Sequence, residues 1–153
     1  MKKPQVTVAA SDGKALKSGT DYTVTYAGGC KNVGKYTVTV KGKENYNFTQ
    51  NLKFTINPVK TSIRSLKKGT RSFTVKWNKK STQVTGYQIQ YSTSSKFKSG
   101  NKTATVTSYK TTSKTIKKLK AKKKYYVRVR TYKKAGGVKY YSAWSSKKYV
   151  TTK

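Results

Sequence analysis

Few side chains in this 153-residue chain are equipped for covalent chemistry. It has no histidine, a single cysteine, Cys30, and three carboxylates, Asp12, Asp21 and Glu44, all in its first third. Without histidine neither a Ser-His-Asp nor a Cys-His arrangement can form, and no His/Cys shell exists for a metal ion. Asp12 lies in Ser11-Asp12-Gly13 and Asp21 follows Gly19-Thr20, settings in which a short carboxylate serves turn geometry. A Lys–Asn isopeptide bond needs a buried acid to adjust proton affinities, and Glu44 beside Asn45 in a polar loop is poorly placed to supply it. Cys30, within Gly28-Gly29-Cys30-Lys31-Asn32, reads as an incidental loop thiol with no internal disulfide partner. Gly28-Gly29 and Gly136-Gly137 read as hairpin glycines, since a phosphate cradle sits between a strand and a helix. The residues therefore predict neither an enzyme nor a cofactor.

What the chain carries in quantity is positive charge. Thirty-six Lys and Arg give a formal charge of +33, distributed unevenly. Residues 1–58 hold nine cations and all three acids, whereas residues 59–153 hold 27 cations and no acid. The second half cannot form a side-chain ion pair within itself. Such a surface repels itself and attracts polyanions, an attraction that weakens as salt screens it. Cell-wall polymers such as teichoic acid, acidic or sulfated glycans, anionic membranes and, nonspecifically, nucleic acid are the partners this implies. Lysine pairs and triples (117–118, 122–124, 133–134, 147–148) fall at turns and strand ends, and nothing places a reading element for sequence-specific nucleic-acid recognition. No apolar run is long enough for a membrane span, and Met1-Lys2-Lys3 leads into Pro4-Gln5 rather than a signal-peptide core.

The elements that must carry these charges are strands. No segment has helical periodicity, and apolar and polar residues alternate over Gln5–Val8, Thr20–Tyr26, Lys35–Val40 and Phe48–Ile56. Beyond Asn57-Pro58, Thr61–Leu66, Ser72–Trp77, Thr85–Tyr91, Lys102–Ser108 and Thr115–Leu119 repeat the pattern. Lys133–Gly137 then reads as a loop and Tyr140–Thr151 as the closing strand. The organising stretch is Leu119–Tyr132, in which Tyr125, Val127 and Val129 face inward and Tyr126, Arg128, Arg130 and Tyr132 face outward. Gln88 and Gln90 are expected on the adjacent strand, with Tyr140, Tyr141 or Trp144 on the other side. Arginine forks pair with sulfate, phosphate or carboxylate, and tyrosine rings stack on sugars or bases. Tyr126, Arg128, Arg130, Tyr132, Trp144, Gln88 and Gln90 are thus the candidate anionic or glycan-binding face.

Several motifs resemble known families. Leu119 followed after six residues by Tyr125 resembles the tyrosine corner of a Greek-key sandwich. With Trp77 on the second strand, Tyr87-x-Ile89-x-Tyr91 on the third and the final Ser142-Ala143-Trp144-Ser145, residues 59–153 resemble a fibronectin type III domain. The resemblance implies a seven-stranded antiparallel β-sandwich. It lacks the usual proline and glycine before the corner tyrosine, where Ala121-Lys122-Lys123-Lys124 stand. It also gives the outward arginines a second reading, as rungs of a structural cation–π ladder. Residues 1–58, through Asp21-Tyr22-Thr23-Val24, Asn45-Tyr46 and Phe54-Thr55-Ile56, resemble the Ig-like repeat modules of bacterial surface proteins, without the strand that usually precedes the Lys3-Pro4.

The reading is an all-β chain of two tandem small antiparallel sandwich-like modules, 1–58 and 59–153. It implies a non-catalytic, extracellular segment of a bacterial surface or secreted protein, monomeric in isolation, acting as a rigid spacer or adhesion segment drawn to polyanions. A nonspecific nucleic-acid or matrix-DNA binder, and an accessory module of a secreted polysaccharide-degrading enzyme, are the alternatives.

Overall fold

The alternating pattern produces strands throughout the chain. A computed structural model describes residues 3–153, and their contacts separate two units, the first ending at Ile56 and the second spanning Asn57–Lys153. None of the helices among the described residues is long and apolar enough to cross a membrane.

In the first unit β1 (Tyr22–Tyr26), β2 (Gly34–Gly42) and β3 (Thr49–Ile56) form one antiparallel sheet with β2 in the centre. Val24 lies opposite Val40 and Val38 opposite Leu52, so the valines of β2 share a face with apolar residues of both neighbours. Leu16, Tyr22 and Val40 are buried there, with Val6, Val8, Ala10 and Phe48 packed around them. The expected strand at Gln5–Val8 does not form. Its alternation survives, with Val6 and Val8 half-buried between exposed Gln5 and Thr7, but it belongs to no ladder. Its carbonyls are engaged elsewhere: Val8 accepts from the Leu16 N–H at 2.9 Å and Val6 from the Tyr22 hydroxyl at 3.2 Å. The unit is therefore one three-stranded sheet covered by an extended segment. Cys30, expected as an incidental loop thiol, lies in the connection between β1 and β2. It closes a short 3-10 turn, Ala27–Cys30, in which its S–H donates to the Ala27 carbonyl at 3.2 Å, and it is buried.

The second unit contains β4 (Ile63–Gly69), β5 (Ser72–Trp77), β6 (Gly86–Ser92), β7 (Lys102–Val106), β8 (Ser113–Ile116), β9 (Lys124–Ala135), β10 (Val138–Tyr141) and β11 (Lys148–Thr151). One sheet has the order β4-β5-β8; the other has β10-β9-β6-β7, with β11 also paired to β9. Phe73, Val75 and Trp77 of β5 meet Tyr87 and Ile89 of β6 and Val127 and Val129 of β9, all at or below 1% exposure. The Trp77 and Tyr87 ring centroids are 5.2 Å apart, which places the tryptophan at the centre of the sandwich. Eight strands appear where seven are expected because the last is interrupted. β10 pairs with Tyr132–Ala135 and β11 with Lys124–Val127, both on the edge of β9 away from β6. The expected loop over Lys133–Gly137 shrinks to Gly136-Gly137, whose φ values of +53° and +77° suit a two-residue hairpin turn.

The corner at the start of β9 forms as the spacing predicts. Leu119 and Tyr125 are buried, and the Lys120 N–H donates to the Tyr125 hydroxyl at 3.2 Å. The missing glycine has a visible cost: Lys122 sits at φ +50°, a left-handed conformation that disfavours a side chain by about 1–2 kcal/mol. Gly86 presents the opposite case, since a Cβ there would lie 2.1 Å from the Val106 carbonyl oxygen. Lys122→Gly is expected to raise unfolding stability by about 1 kcal/mol, and Gly86→Ala to lower it by about 2–3 kcal/mol. Urea titrations followed by circular dichroism check both, and a midpoint unchanged in either variant would contradict the corresponding argument.

Candidate functional site

The outward face of β9 is built by register. Antiparallel pairing sets Arg128 opposite Gln90 and Arg130 opposite Gln88, so each guanidinium leaves the sheet beside a side-chain carbonyl. Arg128 Nε donates to Gln90 Oε1 at 2.8 Å, and Arg130 donates to Gln88 Oε1 through Nε at 3.0 Å and a terminal nitrogen at 2.8 Å. Above them the guanidiniums interleave with rings. Arg128 lies 4.2 Å from the Phe97 centroid and 4.8 Å from that of Trp144. Arg130 lies 4.2 Å from Trp144 and 3.9 Å from Tyr141. The order along the face is Phe97, Arg128, Trp144, Arg130, Tyr141, with Tyr132 following 6.2 Å beyond Tyr141. Burial lowers the proton affinity of both arginines; for Arg130 the neighbouring Tyr141 raises it and Arg128 lowers it again. Guanidinium begins from so high a value that both stay charged.

Trp144 reaches this position because the last strand leaves the ladder between Tyr141 and Lys148. Over that gap two serines replace strand pairing. Ser142 N–H donates to the Thr131 carbonyl at 3.1 Å while its hydroxyl accepts from the Thr131 N–H at 3.1 Å. Ser145 does the same with Val129, at 2.8 and 3.0 Å. Each hydroxyl stands where a strand carbonyl would have been, so the backbone of β9 stays satisfied while Ala143 and Trp144 are carried outward.

The predicted face is therefore brought together in part. Arg128, Arg130, Gln88, Gln90 and Trp144 form one connected array. Tyr126 lies apart from it, 6.2 Å from Tyr149, with Lys124 and Lys147 each 5.8 Å from its ring. Tyr132 departs from the expectation of an outward-presented ring. At 3% exposure it is covered by Tyr141 and lies close against Gly86, and burial raises the proton affinity of its phenol, with Tyr141 adding to the effect. Of the alternatives Tyr140, Tyr141 and Trp144, both Tyr141 and Trp144 are rungs, and Phe97 is a rung that the sequence reading does not contain. Phe97 stands alone between Lys96 and Lys98 in a loop, and only its being apolar in so polar a setting marks it.

Among the described residues no group of three His, Cys, Asp or Glu could hold a metal ion. Asp12 and Asp21 accept from the backbone N–H groups of Lys14 and Lys17 at 2.9 and 2.7 Å, which is turn chemistry.

A family model described as "Fibronectin type III domain" matches residues 57–148. No curated protein sequence matches the chain. Among solved structures, the chicken CNTN1 FN1-FN3 domains resemble it with a TM-score of 0.54 and 20% identity, over 81% of this chain and 44% of that one. At that identity the likeness concerns the fold alone, and the chain spans less than half the length of that relative. A structure described as a myokine has a TM-score of 0.44 and 22% identity, over 63% of this chain and 95% of that one.

Trp144 is the rung shared by both arginines. Trp144→Ala is expected to lower the stability of the second unit by about 2 kcal/mol, from two cation–π contacts and the lost ring burial. A urea midpoint within error of the parent would show that the array carries no stability.

Proposed function

The chain belongs to the fibronectin type III domain family, and on that footing we propose that it is a non-catalytic segment of a bacterial surface or secreted protein. It works as a spacer or adhesion segment that draws cell-wall polymers and acidic glycans by charge. The first unit, with its Asp21-Tyr22-Thr23-Val24 strand and Asn45-Tyr46 turn, is assigned in this proposal to an Ig-like surface repeat. The observation that carries the reading is the 27 cations of residues 59–153 with no acidic side chain among them. The arginines of the β9 face are held by rings and glutamines, so the attraction belongs mainly to the exposed lysines at turns and strand ends. Such attraction is long-ranged, tolerant of ligand sequence and sensitive to ionic strength.

The test is binding of the intact chain to a sulfated glycan, duplex DNA and a neutral polysaccharide, at low salt and at about 0.15 M. The expected result is that both polyanions bind at low salt and weaken steeply by about 0.15 M, while the neutral chain does not bind. Neutral polysaccharide held as firmly as the sulfated one, or attachment indifferent to salt, would overturn the reading. A marked preference for DNA over the glycan at matched charge would move it to nonspecific nucleic-acid binding.

A further inference from the structure

The lysines are not spread evenly over the second unit. At the end of the sandwich marked by the tyrosine corner lies a hollow of about 420 Å³ whose lining includes Lys102, Lys118, Lys120 and Lys123 above Tyr91 and Tyr125. Lys102 opens β7, and the other three come from the segment joining β8 to β9, so four lysines from two parts of the chain line one recess. Lys118 also lines a second hollow of about 540 Å³, shared with Arg71 and Lys117. The two recesses share Lys118.

The backbone around this recess is fixed. Leu119 is buried, its N–H donates to the Arg71 carbonyl at 3.0 Å, and its carbonyl accepts from Arg71 Nε at 3.2 Å. The Lys120 carbonyl accepts from the Thr152 hydroxyl at 2.7 Å, and the Lys123 carbonyl from the Thr152 N–H at 3.1 Å. Lys123 N–H in turn donates to Thr152 Oγ1 at 3.1 Å. The carbonyls of Leu119, Lys120 and Lys123 are thus engaged, while Lys118, Lys120 and Lys123 are exposed. Holding the loop in advance removes much of the ordering cost of taking a ligand. With no acidic side chain in residues 59–153, no side-chain carboxylate offsets the mutual repulsion of these lysines.

We propose that this recess is a binding site for a condensed phosphate chain, with one segment seated among Lys102, Lys118, Lys120 and Lys123 and the chain continuing past Lys118 toward Lys117 and Arg71. The chemistry of the donors selects it. Lysine ammonium groups bind phosphate oxygens as compact point charges from several directions, and the Arg71 fork at the far end suits phosphate as well. Four cations about one small hollow call for several negative charges in a compact volume. A linear condensed phosphate carries about one charge on each phosphorus, more closely spaced than the sulfates of a glycan. The inference rests on the charge-driven reading for the sign of the ligand and goes beyond it in naming a place and a chemistry.

Calorimetric titration of the intact chain with inorganic tripolyphosphate at about 0.15 M salt tests it. The expected result is one-to-one binding that weakens at least about tenfold in Lys118→Gln/Lys120→Gln/Lys123→Gln, about threefold in Lys102→Gln, and less than about twofold in the charge-matched Lys60→Gln/Lys96→Gln/Lys134→Gln. Lys102 lies on a different element, so its variant decides the matter if the triple loop variant fails to fold. ATP and a long polyphosphate serve as parallel ligands. Binding of ATP comparable to tripolyphosphate identifies a nucleotide's phosphate tail as a source, and binding confined to the unsubstituted chains identifies inorganic polyphosphate. Equal weakening by the control variant would overturn the site while leaving the charge-driven reading intact. Tighter binding of a sulfated oligosaccharide, dependent on the same lysines, would overturn the phosphate assignment. Failure to bind any polyanion even at low salt would sink the broader reading as well.

Discussion

A folded unit with 27 positive charges and no negative side chain must find another way to hold its cations. That requirement runs through the whole of the second unit. Its substitutes for carboxylates are the faces of aromatic rings and the oxygen ends of amides. Arg128 and Arg130 use both at once, each with a glutamine oxygen at its edge and rings above and below. Lysines follow the same rule more loosely: Lys124 sits 4.2 Å from the Tyr149 centroid, and Lys147 donates to the Ser95 carbonyl at 2.9 Å. The high tyrosine content suits such a surface, since a tyrosine face attracts a cation without acquiring a charge of its own at neutral pH.

The array on β9 depends on an imperfection in its neighbour. A continuous final strand would direct its side chains alternately inward and outward, with no freedom to set a ring between two arginines on the next strand. Breaking the strand after Tyr141 and resuming it at Lys148 leaves room for Trp144, and Ser142 and Ser145 keep the exposed edge of β9 bonded meanwhile. The core beneath is indifferent to this. Val127 and Val129 remain fully buried against Phe73, Val75 and Ile89 whatever passes above them. Packing and charge are thus handled on opposite faces of the same strand, and period-two alternation keeps them apart.

Most of the sandwich was legible from residue pattern because burial on one face of a strand writes itself into every second position. Ser72–Trp77 has the bounds its alternation predicts, and Gln88 and Gln90 lie where the register demands. The misreadings occur where the backbone is satisfied by something other than a strand. Gln5–Val8 has the alternation of a strand, yet its carbonyls go to a tyrosine hydroxyl and to a chain returning from a turn. Tyr132 obeys the alternation but is buried by Tyr141 arriving from the next hairpin, a tertiary contact that local sequence does not encode. Phe97 reached the array from a loop, where no periodicity exists to reveal it.

The chain contains two tryptophans, and the architecture assigns them to different layers of the same unit. Trp77 lies between the sheets beside Tyr87, and Trp144 lies outside them between two guanidiniums. The first unit has none. Intrinsic indole emission is consequently silent about the N-terminal sheet and reports the second unit through two dissimilar probes. One is dry and surrounded by apolar groups; the other is partly wet and held in the field of two cations. A disturbance confined to the outer array would change one component of the spectrum and leave the other in place, so the molecule carries its own means of separating loss of the core from loss of the face.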